Sequence, residues 1–352
     1  MTVCNACRYC EGLCATFQAM SLKRSFEDTD LDYLANLCHN CTACFHDCQY
    51  AEPHEFNINV PESMAALRAD TYGRYAWPGF LARLFERNGL VVSLVTALSL
   101  AFMLVLASAW IEPNALFGTH TGPGAFYEVI SHGAMVAVAG GTFGFSTLAL
   151  YMGFRRFRKA TGAGTSAMAR AIIGALRDVA TMKYLDGGHG AGCNVTEEEF
   201  SNERRVYHQF TMWGFLLCFA ATCVATVYDY GLARAAPYPL FSLPVILGVL
   251  GGIGLIVGPA GLFVIKQRMD PGPMRLAQYG MDYAFLALLF MVSSTGMMLL
   301  AVRETSLMGV TLVVHLGFVL ALFLTLPYGK FVHGVYRFAA LLRFHADRSR
   351  GG

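Results

Sequence analysis

From Leu90 to Ile111 the chain runs 22 residues without a charged side chain. As a helix, such a stretch crosses the roughly 30 Å hydrocarbon layer of a bilayer. Inside lipid the backbone must satisfy its own hydrogen bonds, which leaves only helices and closed barrels. Five more apolar segments follow, and together they predict six spans at about 90–111, 129–154, 208–230, 240–265, 282–303 and 309–333. The chain is 55% hydrophobic and only 14% charged, which argues against a helical bundle in water. The expected fold class is all-α, with a six-helix transmembrane bundle over 90–333 behind a small helical N-terminal domain.

Basic residues orient the bundle. With the N-terminus inside, 24 of the 26 Lys and Arg fall on the cytoplasmic side, and only Arg234 and Arg303 fall outside. Both termini are then cytoplasmic, in a multi-pass protein of a bacterial-type inner membrane. The formal net charge of +2 gives no reason to expect a nucleic-acid partner.

Eight cysteines lie in the first 50 residues, in two copies of the spacing C-x2-C-x2-C-x3-C. The first run is Cys4, Cys7, Cys10 and Cys14; the second is Cys38, Cys41, Cys44 and Cys48. Thiolates three residues apart converge on one cubane cluster from a single loop, so the runs predict two [4Fe–4S] clusters and an electron carrier. Structural zinc is the alternative, but it usually takes two C-x2-C pairs set well apart. In two-cluster ferredoxins the fourth cysteine of each run ligates the other cluster. That rule groups Cys4, Cys7, Cys10 and Cys48, and separately Cys38, Cys41, Cys44 and Cys14. Ala15 and Gln49 stand where ferredoxins usually have proline. Thiolate ligands, with no signal peptide ahead of them, fit a reducing cytoplasm.

The apolar part contains histidines, which are rare in spans and usually functional there. His315 and His333 are 18 residues apart on the predicted sixth helix. That is about five turns and about 27 Å, so they share a face near opposite membrane surfaces. Depth pairs His132 with His315 around an outer b-type haem, and His208 with His333 around an inner one. The alternative for His208 and His333 is a simple headgroup contact at a helix end.

The cytoplasmic loop 155–207 is too long for a plain connector. Met168, Ile172, Ala175, Leu176, Val179 and Met182 repeat at helical spacing with Arg170, Arg177, Asp178 and Lys183 among them. This predicts an amphipathic helix on the inner membrane surface, or a docking surface. The following GGHGAGC, residues 187–193, reads as a flexible loop, with His189 and Cys193 as alternative functional residues. Glycines of the fourth span, Gly248 to Gly258, predict close helix packing rather than a phosphate loop. The domain plan is therefore 1–60 ferredoxin-like, 61–89 linker, 90–333 membrane domain and 334–352 cytoplasmic tail.

The segments CNACRYCEGLC, LCHNCTACFHDCQYAEPHEFNINVP, GGHGAGCN, HQFTMWGFLLCFAATCVAT and HLGFVLALFLTLPYGKFVHGVYRFAALLR resemble the tricarballylate/citrate utilisation protein B family over nearly the whole chain. The last segment also resembles, more distantly, the haem-bearing gamma subunit of respiratory nitrate reductases. There, histidines 18 apart on the final span ligate different haems, and two more lie ten apart on the second span. Here His132 matches the first of those, and Thr142 stands at the second. The family resemblance implies oxidation of the reduced FAD of a separate cytoplasmic dehydrogenase, with electrons passing through clusters and haem b to membrane quinone. The soluble segments lack a G-x-G-x-x-G motif for FAD, so hydride chemistry is expected in the partner. His120, Tyr127 and Glu128 are candidates for a quinone site near the outer haem. The rivals are a membrane iron–sulfur reductase of the heterodisulfide-reductase type and a redox-sensing membrane anchor. The first needs a further cysteine cluster, for which only Cys193, Cys218 and Cys223 remain.

Overall fold

The computed structural model describes residues 2–162, 168–188, 190–196 and 199–349. The cysteine-rich region forms short helices: α1 (Thr2–Cys7), α2 (Ala15–Ser21), α3 (Asp28–Leu37) and α4 (Ala43–His46). Glu27 and Asp30 form a reciprocal capping box that starts α3. The longer α5 (Val60–Tyr75) is capped by the Asn59 side chain, which accepts from the Glu62 amide, with Pro61 in its first turn. The segment expected to be a linker thus carries a helix whose Met64, Arg68, Thr71 and Tyr72 are buried in the N-terminal domain.

Six helices are long and apolar enough to cross a membrane: Gly79–Trp110, His132–Thr161, Glu203–Gly231, Leu243–Arg268, Leu276–Val302 and Met308–Thr325. This is the all-α, six-span arrangement expected from the sequence. Their regular α-helical parts are α6 (Asn88–Trp110), α7 (Gly141–Thr161), α9 (Glu203–Thr226), α10 (Leu243–Arg268), α11 (Tyr279–Val302) and α12 (Met308–Thr325). Between α7 and α9 lies α8 (Met168–Thr181). The glycines of α10 do pack a helix. A Cβ at Gly251 or Gly254 would lie within 3 Å of the α9 backbone, and one on Gly214 would meet α10 in the same way.

The sixth span differs from expectation. Its helix stops at Thr325, and a turn through Pro327 and Gly329 intervenes before α13 (Val332–Arg348). Proline has no amide hydrogen to continue the helical ladder, and the Tyr328 and Gly329 amides both close on the Thr325 carbonyl, at 3.2 and 2.7 Å, to make the turn. His315 and His333 therefore sit on different helices, and the five-turn spacing argument does not describe them.

The segment expected to be a tail is a buried helix. Tyr336, Leu341 and Phe344 of α13 are at most 1% exposed. Tyr336 stacks on Phe157 of α7 at 5.2 Å, and Arg343 reaches Asp30 of α3 at 2.8 Å. A single hydrophobic core thus joins the cysteine domain, the end of α7 and α13. The N-terminal domain and the C-terminal helix lie at one end of the bundle. On α8, the small residues Ala171 and Ala175 are buried, Gly174 lies against His345, and Ile173 and Leu176 face outward.

Candidate functional site

Each cysteine run folds around a turn that L residues rarely adopt. Arg8 follows Cys7 with φ 56°, and Thr42 follows Cys41 with φ 67°. The repeated spacing is thus a repeated backbone shape, with the sulfurs on its concave side. Cys4, Cys7, Cys10, Cys44 and Cys48 line one pocket of about 430 Å3. Cys14, Cys38, Cys41 and Cys44 line a second of about 400 Å3. Cys48 from the second run therefore stands with the first run's three, and Cys14 from the first stands with the second's. Cys44 borders both pockets, and the grouping of the others is the one that crossed ligation, as in two-cluster ferredoxins, would use.

The donor set fits iron–sulfur clusters. Burial and the neighbouring sulfurs push the Cys10 and Cys14 thiols up to about 12, so a cation between the sulfurs would favour their thiolates. Among the described residues, no three His, Cys, Asp or Glu side chains gather as a site for a single metal ion. The sulfurs line cavity walls, as a polynuclear group requires.

The two pockets differ in their surroundings. The first opens beside Tyr9, which is 72% exposed, and beside the exposed Arg8. Near it, His54 packs its ring edge against Tyr50 and Phe56, and its Nδ1 accepts from the Phe56 amide, which is a structural role. The second pocket is covered by the membrane domain. Arg337 of α13 and Arg68 of α5 each donate to the Cys38 carbonyl at 2.7 Å. Arg204 of α9 donates to the carbonyls of Asn40 and His39 at 2.6 and 3.1 Å. Tyr184 and Pro61 complete its lining.

The glycine-rich loop also covers the second pocket. Gly188, with φ +84°, leaves no room for a Cβ against the Leu13 backbone. Cys193 and Asn194 form β1, paired antiparallel with β2 (Phe200–Ser201). The Thr42 hydroxyl donates to the Asn194 carbonyl at 3.1 Å. Buried Cys193 shares a hydrogen bond with Cys41, which draws the Cys193 thiol below its ordinary value and raises that of Cys41. A flexible loop was expected here, and its described residues are instead docked. His189 lies outside the described residues. The missed signal was glycine at positions where the backbone passes another chain segment closely. Cys218 lies against Gly251 within the bundle, away from the cysteine pockets.

Beneath the second pocket, His208 opens α9 and His333 opens α13, and their ring centroids are 6.0 Å apart with planes at 80°. An iron held by one nitrogen of each ring, at about 2 Å, sets centroids roughly 6 Å apart. The His333 Nδ1 bonds to the Lys330 carbonyl, which leaves its Nε2 free to ligate. The His208 Nδ1 is buried without a hydrogen-bond partner. Burial and the nearby Arg337 hold His333 well below its ordinary value, so it is a neutral donor. These features fit a bis-histidine haem.

The other pair is arranged differently. His315 is held between helices by a 3.1 Å contact of its Nδ1 with the Thr295 hydroxyl, and Gly296 leaves space beside its ring. The His132 Nε2 lies 3.0 Å from an oxygen of Asp229, and its ring lies near Tyr127 and Tyr230. Each of these histidines has partners of its own. Thr142 returns its hydroxyl to the Val138 carbonyl of its own helix. His120 donates its Nε2–H to the Ala115 carbonyl and pairs with Glu128 through Nδ1, which together raise its affinity for a proton. Tyr127 donates to Asp229 at 3.3 Å.

The fold and its cysteine pockets define a multi-pass membrane protein with a ferredoxin-type N-terminal domain. Comparison with known proteins agrees on both parts. The family Citrate utilization protein B matches residues 83–352, and the Citrate utilization protein B Fer4-like domain matches residues 1–74. The chain belongs to this family. It is 48% identical to the Citrate utilization protein B of Escherichia coli over 357 aligned positions, covering 100% of this chain and 92% of that one. No solved structure matches.

Proposed function

We propose that the chain is the electron-transfer component of a flavoprotein:quinone oxidoreductase. Its electron source would be the reduced FAD of a cytoplasmic tricarballylate- or citrate-type dehydrogenase, and its acceptor would be membrane quinone. Oxidation of FADH2 releases two electrons and two protons, and reduction of quinone to quinol takes up the same. When bound, two [4Fe–4S] clusters and haem b supply one-electron carriers between these two-electron partners. Cys4, Cys7, Cys10 and Cys48 would hold the outer-facing cluster, and Cys14, Cys38, Cys41 and Cys44 the inner one. His208 and His333 would hold a haem on the cytoplasmic side of the membrane. His132 and His315 are the proposed ligands of a second haem nearer the opposite surface.

The serial placement of these sites carries the reading. An open cysteine pocket leads to a covered one, and the covered one rests on the histidine pair through Arg204 and Arg337, each four residues from one of the two histidines. The three remaining cysteines do not assemble into a third site: Cys193 lies by Cys41, Cys218 lies against Gly251 within the bundle, and Cys223 is exposed on α9.

The test is anaerobic purification in detergent, with iron and haem counted and optical spectra recorded under quinol and then dithionite. The expected result is about eight irons and one or two low-spin b haems, with haem reduced by quinol. His333→Ala should abolish the signal of one haem. A zinc protein without haem overturns the proposal.

A further inference from the structure

Arg68, Arg204 and Arg337 come from three separate helices and converge on residues 38–40, the loop of the second cysteine run. All their hydrogen bonds on that loop go to backbone carbonyls. Among the described residues, none of the three forms an ion pair with a carboxylate. Arg68 is only 5% exposed, and the Arg337 Nε is buried without a partner. Uncompensated buried cations are costly unless an anion lies close by. The four thiolates of the second pocket are that anion when they carry their cluster.

The first pocket has no such arrangement. Arg8, beside it, is exposed and hydrogen-bonds Asn5, and the N-terminal ammonium also acts on Cys4, but neither clamps the loop as the three arginines do. The pocket's nearby anion, Asp47, lies close enough to Cys10 to oppose further negative charge there. Adding an electron makes a cluster more negative. Positive charge close by favours that step, and negative charge opposes it. Burial alone would disfavour the extra electron at the second pocket. The same low dielectric strengthens the attraction of the three guanidinium groups, and the proposal is that this attraction outweighs the burial penalty.

We propose that Arg68, Arg204 and Arg337 are tuning residues that hold the second-run cluster at a higher reduction potential than the first-run cluster. The inward transfer is then favourable. One electron leaves the first cluster and one enters the second, with no bond made or broken and no proton moved. The proposal rests on the reading of both runs as [4Fe–4S] sites, and it adds the direction in which charge flows between them.

The experiment is a potentiometric titration of the intact, detergent-purified holoprotein, followed by electron paramagnetic resonance. Cys7→Ser assigns the first-run signal. Arg68→Gln should shift the second-run signal to lower potential and leave the first-run signal in place. Arg68→Lys, which keeps the charge, should retain most of the wild-type potential. Arg204→Gln is read in the same way and serves if Arg68→Gln loses its clusters. Unmoved second-run potentials in a protein with both clusters overturn the tuning role alone. An equal shift in Arg68→Lys assigns the effect to hydrogen-bond geometry and also overturns it. A wild-type protein without iron–sulfur signals overturns the cluster reading itself, and this proposal with it.

Discussion

The two cysteine runs share one spacing and one backbone turn, and their surroundings are opposite. The first run is built from the N-terminal segment and opens beside exposed Tyr9. The second is enclosed by α5, α9, α13 and the glycine-rich hairpin, segments up to 299 residues away along the chain. A motif therefore defines what a site can bind, while the rest of the fold decides what the site can exchange with. The open site faces solvent, and the covered one faces the membrane domain.

The strongest way to break this comparison is to remove one ligand from each side. Cys7→Ser should lower iron by about half and leave the haem spectrum unchanged. Cys14→Ser should lower iron to a similar extent and also slow haem reduction by dithionite-reduced partner or dye, because the site next to the histidines is lost. With the reduced partner as donor both variants should reduce haem slowly, whereas reduction by a small dye that reaches the second site directly should slow only in Cys14→Ser; a Cys7→Ser protein whose haem the partner reduces at the wild-type rate would show that the serial order is wrong.

A smaller effect is expected at the seam between the domains. Asp30 lies between Lys23 and Arg343, with both carboxylate and Arg343 nearly buried. Burial pulls Asp30 upward, but the two cations win and hold it below its ordinary value. Its contribution is therefore complete above about pH 4 and is lost as pH falls through the lowered folded-state value. Asp30→Asn should cost about 2 kcal/mol of stability near neutral pH, since the buried Arg343 guanidinium then keeps only Asp347, at 3.3 Å, as an anionic partner. Thermal unfolding of the two proteins should converge in acid, and a constant gap down to pH 2 would contradict the assignment.

The subtlest test concerns the cover of the second pocket. Gly188→Ala places a methyl against the Leu13 backbone at a φ of +84°, with an expected cost of about 1–3 kcal/mol. The second cluster should then bleach faster in air, with the first unaffected. Equal bleaching at both would mean that the hairpin is not a selective cover.

Much of this was readable from local pattern. The cysteine spacing and the apolar windows are properties of contiguous residues, and the fold follows them. Depth along the spans was enough to bring His208 and His333 together as a pair. The break after Thr325 had a visible signal in Pro327, but the apolar run through it suggested a continuous helix. The roles around the second run were not legible. Arg68, Arg204 and Arg337 entered the sequence reading only as basic residues that orient the bundle. Their convergence on one loop depends on tertiary packing, as does the contact of Cys193 with Cys41.

The burial of α13 has a consequence for biosynthesis. The cysteines are among the first residues made, yet the Cys38 carbonyl is clamped by Arg337, close to the other end of the chain. The second pocket is therefore finished only when translation is nearly over and the sixth span is in place. Until then the clamp from α13 on that loop is missing. The closing helix acts as a seal applied last, and a chain cut short before Val332 would have all eight cysteines and no closed second site.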